Sequence, residues 1–121
     1  MKATRLISVL VALMGLVHIA ATFSPLIGGK LAVLDEGTYK AMIYMSLMCG
    51  LLLVTLGGYA WWAIKKVACC PQLRPTILAT AVLLLIDGAL AVTCMPHNPF
   101  ALTIGILCVI EFLLIFFMKT K

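Results

Sequence analysis

The chain has 121 residues, of which 64% are hydrophobic and 11% charged, with a mean hydropathy of +1.21 and a formal net charge of +5. A soluble domain carries roughly 45–50% apolar and about 25% charged residues, and a chain this short cannot enclose so much apolar surface in a water-soluble core. Composition therefore excludes an ordinary soluble domain and makes the bilayer the expected solvent, with a single transmembrane domain over 1–121.

Four apolar runs, at about 6–23, 41–64, 76–95 and 100–118, approach or exceed the roughly 20 helical residues that cross a hydrocarbon core. Helix is the expected state because backbone amides in lipid must be satisfied within the segment. A β-barrel would need alternating polar and apolar positions, which runs such as LMCGLLLVTLGG lack. The first run follows Lys2 and Arg5 like a secretory leader. Its apolar stretch is long for one, however, and only poor cleavage pairs follow, so it reads as a retained helix.

After the first run, Pro25, Gly28 and Gly29 signal a stop, LAVL suggests a stretch along the membrane surface, and Asp35 is a candidate N-cap for the second helix. The connection KKVACCPQLRP is short and punctuated by Pro71 and Pro75, and PHNP is a tight turn before the fourth run. Short links make successive helices antiparallel neighbours. The predicted fold is thus an all-α integral membrane four-helix bundle of up-down-up-down course. Lys2, Arg5, Lys65, Lys66, Arg74, Lys119 and Lys121 fall on one side, against Lys30 and Lys40 on the other. The positive-inside bias then puts both termini in the cytoplasm, and the expected location is a bacterial inner membrane. The positive charge reads as topology and anionic-lipid contact, with no motif for nucleic acid. Tyr59, Trp61, Trp62, Phe116 and Phe117 mark one boundary, and Phe23, Tyr39, Tyr44 and Phe100 the other.

Small and polar residues recur at helical spacing. Thr4, Ser8, Ala12, Gly15, His18 and Thr22 share one face of the first helix. Ser46, Gly50 and Gly57 share a side of the second; Thr76, Thr80, Asp87, Ala91 and Cys94 line the third, with Leu83 or Leu84 in the gap. Ala101, Gly105, Cys108 and Glu111 repeat the theme on the fourth. Small residues let membrane helices approach closely, so these faces are expected to turn inward.

Three ionisable residues fall on these faces. At about 1.5 Å per residue, His18 and Asp87 lie roughly 15–20 Å from the cytoplasmic ends and Glu111 roughly 10–14 Å. A central Asp costs about 2.5–3.5 kcal/mol on insertion scales, and each Leu, Ile or Val offsets roughly 0.3–0.6, so the third helix can insert with Asp87 in it. An ionised, unpaired carboxylate in the finished bundle remains unfavourable. Pairing of Asp87 with His18, or a shared proton with Glu111, is the expected remedy, and such a set suits proton exchange. The competing reading is interhelical glue: protonated or hydrogen-bonded acids, with His18 donating to a carbonyl.

Other candidates read as structure. Met42, Met45 and Met48 are expected to fill space, and His97 to be a loop residue. Haem would need a second histidine at the height of His18, which His97 does not supply, and no cofactor is expected. The five cysteines show no CxxC spacing; adjacent Cys69 and Cys70 could take a soft metal or a lipid, but the expected metal set is empty. No nucleophile motif, phosphate loop or zinc-spaced cluster occurs. The leading expectation is a small membrane protein that binds or translocates a small solute at His18, Asp87 and Glu111, coupled to protons, with a homodimer supplying the wall a single bundle lacks. The alternatives are an accessory subunit docked to a membrane partner protein, and a small enzyme acting on a lipid-like substrate.

Overall fold

The computed structural model describes residues 1–25, 29, 31 and 33–118. The stop signal at Gly28, the outer Lys30, part of LAVL, and Lys119 and Lys121 lie outside them. The chain is helical: α1 (Lys2–Thr22), α2 (Glu36–Lys66), α3 (Arg74–Cys94) and α4 (Pro99–Phe116), with a 3-10 turn at Pro71–Leu73 ahead of α3. All four helices are long and apolar enough to cross a membrane, as an integral membrane protein requires.

The helix starts follow from capping chemistry. Asp35 accepts a hydrogen bond from the Thr38 amide at 3.0 Å, so α2 begins five residues before its apolar run. Hydrogen bonding from Thr38 holds the Asp35 carboxyl below its ordinary value. Glu36 and Lys40 then form an exposed pair at 2.6 Å one turn in. At 31 residues α2 is about 46 Å long, well beyond the ~30 Å of hydrocarbon, so its first turns extend past the apolar layer. Asn98 caps α4 by accepting from the Phe100 amide at 2.9 Å, with Pro99 at the first position where its missing N–H costs nothing.

Packing is by close approach of small residues. A methyl group added at Gly15 would fall 2.7 Å from the Gly50 carbonyl oxygen, and one added at Gly57 2.9 Å from the Ala12 amide nitrogen. Only glycine fits at either place, and α1 lies flush on α2. Gly88 sets α3 close to α4, where an added methyl group would fall 3.0 Å from Cys108 Cβ and 3.2 Å from Gly105 Cα. These two pairs make the larger interfaces; α1 against α4, and α2 against α3, join them by smaller ones.

The core is divided along the bundle. One cluster joins Ala60, Ala63, Ile64, Val67, Ile77, Ala81, Ile115 and Met118, and a second joins Val11, Leu53, Leu84, Ile104 and Cys108. Thr4, Ser8, Gly15, Thr22, Gly50, Gly57, Thr80, Ala101, Gly105, Cys108 and Glu111 are buried, as the inward faces require. Leu84, not Leu83, fills the gap on α3. Thr76 and Cys94, at the two ends of that line, are exposed because the helix ends have fewer neighbours.

Candidate functional site

The first polar group builds up from α1. Ser8 faces α4 and its Oγ lies 2.6 Å from Glu111 Oε1 and 3.1 Å from the Thr4 carbonyl. Glu111 has no exposed surface, and its Oε2 has no hydrogen-bond partner among the described residues. A serine hydroxyl has one proton, so it can donate to only one of its two neighbours. If Ser8 donates to Glu111, the Thr4 carbonyl loses its extra bond and a full negative charge stands in a dry interior. If Glu111 carries a proton and donates to Ser8, Ser8 can donate to Thr4, and a neutral carbonyl oxygen is all that remains unpaired. Desolvation favours the second arrangement, because an uncompensated buried carboxylate costs far more than an unbonded carbonyl.

The second group lies further along α1. His18 Nε2 is 3.1 Å from Ser46 Oγ, which is 2.6 Å from Thr22 Oγ1, and Thr22 Oγ1 donates to the His18 carbonyl at 2.9 Å. With Thr22 donating backward, Ser46 must donate to Thr22, and His18 must donate from Nε2 to Ser46. The loop of bonds closes on one consistent assignment, with the proton on Nε2. It ties α1 to α2, and the ring stacks on Phe100 of α4 with centroids 5.4 Å apart. His18 Nδ1 has no hydrogen bond among the described residues.

Asp87 stands between these groups. It is half-buried, and among the described residues its two oxygens receive only the Cys49 thiol, at 3.7 and 3.9 Å. Thiols are weak donors, so this carboxyl is poorly satisfied. His18 and Asp87 are within electrostatic reach of one another. Among the described residues no hydrogen bond or ion pair links His18, Asp87 and Glu111.

The three residues form a column along the bundle axis. Ser8 marks the height of Glu111, and His18 is ten residues further along the same helix, about 15 Å away. Asp87 is at an intermediate height, since its neighbour Gly88 packs against Cys108, one turn from Glu111. Leu84, Ile104 and Cys108 pack in one apolar cluster of the bundle interior. A surface groove of about 560 Å³, between the start of α1 and the end of α4, is lined by residues such as Thr4 and Met118 and holds none of the three.

Partners that sequence reasoning did not assign are Cys49 for Asp87 and Ser8 for Glu111. Ser8 belongs to the inward stripe of α1, and Cys49 falls three residues after Ser46 and beside Gly50, so helical period contained both signals. What it lacked was the register between helices. Cys49, Cys69, Cys70, Cys94 and Cys108 are all free thiols, and the described residues contain no cluster of three metal-ligating side chains. Compared with protein-family models, with curated proteins and with solved structures, the chain matches none.

Proposed function

We propose that this chain binds or translocates a small solute at a polar midplane site, with proton exchange at His18 and Asp87 and with Glu111 as a neutral acid beneath them. The observation that carries the reading is Asp87: a half-buried carboxyl, in a segment built to cross a membrane, whose only hydrogen-bond partner among the described residues is a weakly donating thiol. Intramembrane acids are costly and mark ion and substrate pathways. Its neighbour His18 has one ring nitrogen engaged and one unbonded, which suits a group that takes up and releases a proton.

An up-down-up-down course with both termini in the cytoplasm fits the order of contacts. Ser8 meets Glu111 while His18 meets Phe100, and Gly57 meets Ala12 while Ser46 meets Thr22, so partners run in opposite sequence directions. Arg5 and Lys65 both lie over the Trp61 ring, at 5.9 and 3.4 Å from its centroid, which gathers the basic end of α1 with that of α2. The positive-inside bias assigns that end to the cytoplasm, in the inner membrane of a bacterium. The accessory-subunit reading needs Asp87 or Glu111 aimed outward; Glu111 is wholly enclosed, which leaves half-buried Asp87 as the group that would serve it.

Proton uptake on a pH jump near neutrality, measured with the protein in nanodiscs, tests the proposal. Wild-type protein is expected to exchange protons that Asp87→Asn does not, with unchanged helicity and thermal stability. Equal uptake by the two proteins would remove Asp87 from the site.

A further inference from the structure

The turn joining α2 to α3 holds a pair of thiols that the midplane site does not use. Its backbone is pinned: the Lys66 carbonyl accepts from the Cys69 amide at 3.0 Å, the Cys70 amide at 2.8 Å and the Cys69 thiol at 3.1 Å. The Leu73 amide then bonds to the Cys70 carbonyl at 3.0 Å, and Pro71 opens the 3-10 turn with its φ fixed by the ring. Both side chains are exposed, and their Sγ atoms are 3.9 Å apart without a disulfide. Cys69 pushes the Cys70 thiol above its ordinary value, first by hydrogen bonding and then by charge.

We propose that Cys69 and Cys70 form a two-thiolate site for a soft monovalent cation of the copper(I) class. The donor set selects the ion. Thiolates prefer soft metals, and zinc in structural sites takes four ligands, whereas no third His, Cys, Asp or Glu joins these two among the described residues. Two metal–sulfur bonds bridge the present 3.9 Å gap at a bent angle, and a small opening of the pair makes the site linear. Binding forms two metal–sulfur bonds and breaks two S–H bonds, whose protons go to solvent; no electrons are transferred. The complex carries one negative charge, which Lys66 and Arg74 flank in sequence.

The test is competition for copper(I) against a chromophoric copper(I) chelator, under anaerobic conditions, with full-length protein in detergent micelles. Wild type is expected to bind one more ion per chain than the Cys69→Ser/Cys70→Ser double variant, which also cancels any contribution from Cys49, Cys94 and Cys108. Either single substitution should weaken that ion on the order of a hundredfold, through loss of the chelate's effective concentration. Both exposed thiols should become protected from maleimide when the ion is bound. Equal stoichiometry in the double variant, wild-type affinity in either single variant, or acyl groups found on these sulfurs in the purified protein would overturn the proposal.

Discussion

The Ser8 end and the His18 end of the bundle are built from the same residue types and packed in opposite ways. Around Ser8, side chains from all four helices close on each other, and the polar atoms are enclosed with them. Around His18, α1 and α4 still contribute buried residues, Thr22 and Ala101, but α2 contributes none before Gly50 and α3 none after Gly88. The α2–α3 seam is bonded at Tyr59–Thr76, with 2.9 Å between the oxygens, and again at Cys49–Asp87. Beyond that height it has no hydrogen bond among the described residues. The difference teaches where to look for function. Glu111 is enclosed in the closed half, whereas Asp87 is half-buried at the edge of the open half.

The sharpest way to break this comparison is to wedge the closed half. Gly57→Leu should destabilise the protein by about 3 kcal/mol or more in reversible unfolding from mixed micelles, since its side chain would overlap the α1 backbone. Gly58→Leu is the control: a Cβ there meets nothing within 4 Å, and the change should stay within about 0.5 kcal/mol. Equal effects at the two neighbours would mean that α1 does not lie flush on α2.

A second, intermediate effect concerns Glu111. Truncation to Ala opens a cavity and strips Ser8 of its partner, for an expected loss of about 2–4 kcal/mol. Glu111→Gln should cost less than about 1 kcal/mol, because an amide N–H can donate to Ser8 as the neutral acid does. A Gln variant as unstable as the Ala variant would show that the carboxylate is charged in place.

The smallest effect belongs to the open half. Ser46→Ala removes the middle of the His18–Ser46–Thr22 relay and should cost about 1 kcal/mol. It should also change the His18 tautomer equilibrium, seen in its ring nitrogen shifts by NMR. An unmoved His18 spectrum would mean that the relay does not hold the ring.

Much of this arrangement is legible along the chain. The inward faces were readable because small and polar residues repeat every three to four positions, and Ser8, Gly15, Gly57, Gly105 and Glu111 are buried accordingly. Relative height was not: counting rise per residue puts Glu111 within about 10 Å of His18, whereas the packing of α4 on α1 at Ser8 separates them by about 15 Å. The bonding partners were not. Placing all three groups within about two turns of the midplane suggests pairing or a shared proton, but the relative register of α1, α3 and α4 gives each acid its own neighbour, Ser8 for one and Cys49 for the other.

Sequence by itself determined the solvent, the helical state, the approximate spans and which side of each helix turns inward, because hydropathy and a fixed helical period act locally. Tertiary structure alone decided that the three ionisable groups form a column of separate bonds, one end sealed and the other parted. That outcome depends on how far one helix slides along another, which is set by glycine contacts a few ångströms across between residues far apart in the chain.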